Sequence, residues 1–438
     1  MPETINLERS YVQAVLSWLD ARLERDVRRW QIAGQDPGDR FRGLYVSDAK
    51  ALELVRRGVG TQWGAGIELP EKETRQLEKQ EADALECMQA LEESVKASGE
   101  TLRLKAVQDI FGLSDFEWKA FVVCLAPALD LRYERIYGYL QDDVTRTFAS
   151  VDLLLSLLVP EGLFRLQYLP VFDRHETLRT FRLIVPVEEN GKSGSALRQA
   201  FRVEQGMVNW LLGAYAPSEA LGDGAVLFPI EEEDDQSGAA EIFSLPKMPD
   251  RRILVSVEPM LSLYGPDSLQ QELTARQIAT ALERSLLKVK ISADDVQTEA
   301  MEKLYPAVRD ARLMNALLYI EGCDAFIDSD SCLLSEAFHA LNLMDDMVIV
   351  GSNRAFHFGA DMPGNDSPLM SVHFDKLTAS ERAELWAVLL DGVVEDIPES
   401  ELLILAGQFN LTSGQIVAAA SSAMSSALQK GRNLEPVD

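Results

Sequence analysis

The chain has little of what builds metal centres, covalent staples or polyanion-binding surfaces. It carries four cysteines and four histidines in 438 residues. Cys87, Cys124, Cys323 and Cys332 are scattered and make no CxxC pair, so reduced thiols of a cytoplasmic protein fit better than disulfides or zinc. His175, His339, His357 and His373 give no HExxH spacing, and no metal site is expected. A GxSxG nucleophile elbow is also missing. Cations are scarce: 42 Lys and Arg stand against 70 Asp and Glu, a net charge of −28. Such a surface repels phosphates, which argues against nucleic acid and against anionic membrane as partners. No apolar run is long enough to span a bilayer, since the longest, at 151–159, is broken by Asp152 and Ser156. The first nine residues are charged and lead into no apolar core, so no signal peptide is expected.

What is present is enough apolar content, 47%, to fill full cores. A chain of this length should hold about two to four domains. Residues 1–100 read as a helical N-terminal region. Over 7–30, Val12, Val15, Leu16, Leu19, Leu23, Val27 and Trp30 recur at helical spacing, and 49–57 reads as a second helix. Residues 34–43 read as a polar loop and 58–70 as irregular. A charged helix over 71–97 shows Leu77, Ala82, Leu85, Met88, Leu91 and Val95 on one side. Residues 101–218 read as several helices, one opened by a Ser114–Glu117 capping box. They are followed by two alternating strands at 163–169 and 178–185, and by a helix at 201–212. That order of helices and ribbon is a winged-helix layout. Residues 219–245, with the run Glu231-Glu232-Glu233-Asp234-Asp235, read as an acidic linker that its own charge keeps extended. An α/β subdomain at 246–376, opening on a strand at 253–257, and a helical lid at 377–438 complete the chain.

The segment Ala126-Pro127-Ala128-Leu129-Asp130-Leu131-Arg132-Tyr133-Glu134-Arg135-Ile136-Tyr137-Gly138-Tyr139-Leu140-Gln141-Asp142-Asp143-Val144-Thr145 is distinctive. It resembles the N-terminal winged-helix region of AAA+ ATPases found with phage-tail-like contractile injection systems. Further on, Tyr264-Gly265-Pro266 followed by Ala275-Arg276-Gln277-Ile278-Ala279 resembles the flanks of the AAA+ phosphate-binding loop. On that frame the inner glycines fall on Ser268 and Gln270, the lysine on Gln271, and the metal-holding threonine on Glu272. Glycines let backbone N–H groups turn inward around phosphates, while a lysine and a hydroxyl handle charge and metal. Here a carboxylate would face polyphosphate, a like-charge contact of on the order of 4 kcal/mol per pair.

Three more features stand in the family's order. Leu317-Leu318-Tyr319-Ile320-Glu321-Gly322 resembles the Walker B strand, with Glu321 at the magnesium-orienting acid and Gly322 where the water-polarising acid is expected. Met347-Val348-Ile349-Val350-Gly351-Ser352-Asn353 resembles the sensor 1 strand, with Asn353 at its polar position. No arginine finger appears over 358–374. Thr378 and Glu381 open the lid with a capping box. Leu411-Thr412-Ser413-Gly414-Gln415-Ile416-Val417 resembles the sensor 2 turn, with Gly414 in the turn and Val417 near the place of the usual arginine.

The resemblance implies a multidomain α/β protein: a helical N-terminal region, a winged-helix-like domain, and a degenerate AAA+ module with a helical lid. The family uses ATP and magnesium; the altered loop implies neither for this chain. The leading expectation is a catalytically inactive AAA+ scaffold or regulator in assembly or protein remodelling, linked to a contractile injection system. Its partners would be proteins: copies of itself in a homo-oligomer, or an active AAA+ module. The family often carries a second, catalytic module, so the chain is alternatively the N-terminal part of an active remodelling ATPase, as a fragment or the product of a split gene. A winged-helix DNA-binding regulator is a third reading.

Overall fold

The computed structural model describes residues 2–32, 55–56, 67–160, 162–187, 194–214, 216–230, 260–292, 295–359, 368–390 and 398–429. The helix expected at 49–57 falls almost wholly outside these residues. The polar loop at 34–43, most of 58–70, the acidic run and the strand expected at 253–257 also lie outside them. The chain divides into two compact units, Met1–Ala216 and Pro217–Asp438.

In the first unit, helix α1 (Pro2–Ile32) pairs with α2 (Glu71–Ser98). The pairing is antiparallel, because Tyr11 meets Glu92 while Arg22 meets Glu81. The buried seam of α2 runs through Leu77, Ala84, Met88 and Val95. This differs from the expected stripe: Ala82 and Leu85 are exposed, and Glu81 occupies a seam position. Its charge hides it from a search for apolar periodicity. The carboxylate is accommodated there by Arg22 at 2.8 Å and Arg25 at 2.9 Å.

Then come α3 (Arg103–Phe111), α4 (Asp115–Leu129), α5 (Arg132–Leu140) and α6 (Val151–Leu158). The Ser114–Glu117 capping box opens α4, and nine of its residues are buried, so it forms the unit's central helix. The distinctive segment after α4 folds around Gln141. Its amide Nε2 donates to the carbonyls of Tyr137, Arg146 and Phe148, and its Oε1 accepts from Ser150 N–H. One side chain thus closes the whole loop from α5 to the short strand β1 (Ala149–Ser150).

The ribbon departs from expectation. Residues 163–169 lie in a 3-10 helix, Leu163–Phe172, and not in a strand. Pro170 lies inside this segment, and it turns Tyr168 and Phe172 onto Phe116. Within 178–185, the helical turn α7 (Thr177–Thr180) comes first, and only β2 (Ile184–Pro186) is extended. Its partner is β3 (Ala200–Val203), in the stretch expected to be helical from 201; the helix α8 starts later, at Gln205–Leu211. β3 lies between β1 and β2 in a three-stranded sheet, antiparallel to both. Long-range pairing overrode local periodicity here.

The second unit is built on a six-stranded sheet. Its strands are β4 (Ala225–Phe228), β5 (Met260–Tyr264), β6 (Leu286–Lys290), β7 (Leu317–Glu321), β8 (Val348–Ser352) and β9 (Leu369–His373). The order is β4-β6-β7-β8-β5-β9, parallel throughout except for the antiparallel β4. The position of β4 corrects the linker expected at 219–245, since Ala225–Phe228 are sheet residues paired with β6. Helix α9 (Ser268–Ala281) packs Ala275, Ile278 and Ala279 against Leu261, Leu263, Leu317, Tyr319 and Ile349. Strand side chains alternate, so Leu318, Ile320 and Val350, also buried, face the other way. Helix α10 (Gln297–Met314) packs on β6 and β7. Burial on both faces is why these strands read as continuous apolar runs.

After α11 (Ser335–Asn342), the chain ends in a three-helix lid of α12 (Ala379–Leu390), α13 (Glu399–Gln408) and α14 (Ser413–Gln429). Thr378 and Glu381 cap α12 reciprocally. Buried Arg382 ties the lid together by donating to the Ala406 carbonyl and to Asn410 Oδ1. No single helix among the described residues is long and apolar enough to cross a membrane.

Glu81 generates a pH-dependent prediction. Burial alone would raise its carboxyl, but Arg22 and Arg25 outweigh this and hold it below the ordinary range. A depressed folded-state pKa stabilises above the unfolded value and is lost as pH falls through the folded one. Glu81→Gln should therefore cost about 1 kcal/mol at pH 7. In denaturant titrations, the gap from wild type should close as pH drops below about 4.

Candidate functional site

In an open parallel sheet, ligands bind beyond the carboxyl ends of the strands, where the strand order reverses. Here that place lies at the ends of β5, β7 and β8, because the chain leaves β5, jumps to β6 and returns through β7 to β8 beside β5. The expected site residues Gly265, Pro266, Ser268, Gln270, Gln271, Glu272, Glu321, Gly322 and Asn353 all lie on these strand ends or on the loop and helix that follow β5.

The link from β5 to α9 is short. Gly265 has φ 145°, and a Cβ there would lie 2.2 Å from the Phe374 carbonyl oxygen, so the backbone passes too close for any side chain. None of residues 266–272 has a positive φ. Asp267 ends the link by capping α9, its Oδ1 accepting from Gln270 N–H at 3.4 Å.

Gln271 points into the protein and is 3% exposed. Its Nε2 donates to the Gly265 carbonyl at 3.0 Å and to the Ser352 carbonyl at 3.1 Å. Gly351 makes room for it: a Cβ there would lie 2.7 Å from both Gln271 Oε1 and the Tyr319 hydroxyl. Burial, with Glu321 and Glu272 nearby, pushes the Tyr319 phenol well above its usual range.

One residue along α9, Glu272 meets two cations, Arg276 Nη2 at 2.5 Å and Lys288 Nζ at 2.5 Å. Lys288 also reaches Glu321 Oε2 at 2.6 Å, so it bridges the helix and the end of β7. Burial works against its charge, but the hydrogen bonds to Glu272 and Glu321 outweigh that and raise the ammonium above its usual range. The Arg276 guanidinium lies 3.7 Å over the ring of Phe228 on β4.

Gly322 has φ 86°, and a Cβ there would come within 2.4 Å of the Ile291 carbonyl oxygen. Asn353 is held by Asp324: its backbone N–H and its Nδ2 both donate to Asp324 Oδ2, at 2.8 and 3.1 Å. In the lid, Gly414 lies against α9, where a Cβ would sit 3.6 Å from Leu269 Cβ. Val417 is half-buried one helical turn further along α14. Asp267, Lys288 and Tyr319 were not singled out from the sequence. A charged Lys288 within the apolar alternation of β6 was a legible signal, as was an Asp immediately before a helix.

A family model described as "Winged helix domain, variant" matches residues 7–225, half of the chain. The chain belongs to that family. A second model, "Contractile injection system ATPase helical domain", matches residues 378–437, which include the three lid helices. No curated protein matches. Among solved structures, the crystal structure of the FIGL-1 AAA domain in complex with ADP is similar over 48% of this chain and 78% of that one, at 15% identity and a TM-score of 0.32. Among the described residues, no three His, Cys, Asp or Glu side chains cluster as metal ligands.

Two substitutions test the site's architecture. Lys288→Met leaves Glu272 and Glu321 without their shared cation and should cost about 3 kcal/mol in chemical unfolding. Adding Glu272→Gln should recover part of that loss, and a double-mutant cycle measures the coupling. Gly322→Glu, which writes an acid into the Walker B-like position, should cost about 3 kcal/mol or more, because it combines a left-handed backbone with a carbonyl clash.

Proposed function

We propose that the second unit is a non-hydrolysing AAA-type ATPase module that serves as a scaffold or regulator in a contractile injection system. The observation that carries this reading is the placement of Gln271. In a working loop a lysine there faces the phosphates; here a neutral amide is spent on the carbonyls of Gly265 and Ser352. Its surroundings support the same reading. The link has no run of positive φ to form an anion nest. Lys288 is already shared by two glutamates. Gly322 holds a backbone that leaves no room for a second acid. These residues do not fit a magnesium-bound triphosphate.

Matches to a winged-helix domain and to a contractile injection system ATPase helical domain set the context. In this reading the α/β layer and lid pack against other protein chains, either copies of this one or an active ATPase module that supplies turnover. The winged-helix unit engages protein and not DNA. Several of its arginines are committed to its own acids: Arg22 and Arg25 to Glu81, Arg132 to Asp20 and Asp130, and Arg146 to Asp143.

Titration calorimetry with ATP and magnesium should show no binding heat, and the protein alone should release no inorganic phosphate. A Kd below about 100 μM would overturn the reading, and it would be visible in melting as well, since ligand at 100 times its Kd stabilises a fold by about 2.7 kcal/mol.

A further inference from the structure

Asp267 does more than cap α9. The same carboxylate reaches the lid, 146 residues later in the chain. Its Oδ2 accepts from the Ser413 backbone N–H at 2.7 Å, and its Oδ1 accepts from the Ser413 hydroxyl at 2.6 Å. Both residues are buried, Asp267 at 2% exposure and Ser413 at 0%. Ser413 is the first residue of α14, and that helix already has its own cap. Thr412 N–H donates to Gln415 Oε1 at 3.0 Å, and Gln415 N–H donates back to Thr412 Oγ1 at 3.4 Å. A capping box of this kind leaves the N–H of the first helical residue without an intrahelical acceptor. Asp267 takes that donor.

Two helix N-termini therefore converge on one buried carboxylate. Each carries a partial positive charge, and together they favour a negative group between them. Apolar contacts reinforce the junction: Leu269 and Leu273 of α9 pack with Ile416, Ala420 and Trp386 in the lid core.

We propose that Asp267 is a built-in latch that holds the lid helix α14 on the α/β layer without any ligand. The chain's own carboxylate joins helix ends that a bound anion would otherwise have to bridge. The lid then keeps one position whatever nucleotide is present, and neighbouring chains meet a surface of constant shape. This inference concerns lid position and stands apart from the question of hydrolysis.

Hydrogen exchange on the full chain tests it. In wild-type protein without nucleotide, residues 413–429 should be protected, and ATP with magnesium should leave that protection unchanged. Asp267→Ala should speed exchange there by about tenfold or more, as expected for losing hydrogen bonds to a charged acceptor. Ser413→Ala keeps the Asp267–Gln270 cap and loses only the hydroxyl bond. It should speed exchange at 413–429 by about threefold while β5 and β8 stay unchanged, and it serves if Asp267→Ala does not fold. The latch is wrong if the wild-type lid exchanges as fast as in the Asp267 variant, if it becomes protected only on adding nucleotide, or if neither substitution alters it. ATP binding that leaves lid protection unchanged would support the latch and remove the proposal that the site takes no nucleotide.

Discussion

The side-chain amide of Gln271 joins the carboxyl ends of β5 and β8, and the rest of the site is arranged around it. Its two acceptors are backbone carbonyls in a buried place, where an unpaired polar group costs free energy and a bare charge costs more. A neutral donor meets that demand without a counter-ion. The choice propagates. Gly351 admits the amide oxygen and the Tyr319 hydroxyl, where a methyl group would collide with both. Gly265 completes the contact from the other side, donating its own N–H to the Ser352 carbonyl at 3.0 Å. The residues at this site form one mutually consistent packing arrangement, in which each depends on its neighbours.

The next residue on α9 faces another direction, because successive helical residues are turned by about 100°. Glu272 therefore meets Arg276 and Lys288 and leaves the carbonyls to Gln271. Lys288 extends the set to Glu321 and so connects α9, β6 and β7 through charge, while Arg276 on Phe228 adds the edge strand β4. The sheet is thus tied laterally by side chains, in addition to its backbone ladder.

How far the sequence revealed this depended on the range of each interaction. The runs Leu317–Ile320 and Val348–Val350 were legible because parallel strands are covered on both faces and leave an unbroken apolar signal. The Thr378–Glu381 and Ser114–Glu117 caps were legible because both partners lie within one turn. The ribbon was misread because residues 163–169 alternate like a strand, while Pro170 and the aromatic contacts of Tyr168 and Phe172 with Phe116 fold them into a 3-10 helix. Glu81 was passed over because a charged residue at a helix seam breaks the apolar period that the search relies on. The contacts of Asp267 with Ser413 and of Lys288 with Glu272 and Glu321 cross the fold, so no local pattern announces them.

Pairing explains how the fold tolerates partly buried ions beside the strands. Glu272 pairs with Arg276 and Lys288, and Glu321 pairs with Lys288 and, at 3.9 Å, with Lys290. Partly buried ions are tolerated only when paired and hydrogen-bonded, and removing one partner exposes the cost of the other. Each carboxylate of the set is paired with more than one cation. The apolar layer beneath is separate from these ions: Leu261, Leu263, Ile278 and Ile349 pack together as one buried cluster. Folding here rests on the interior, while the polar residues at the strand ends satisfy one another.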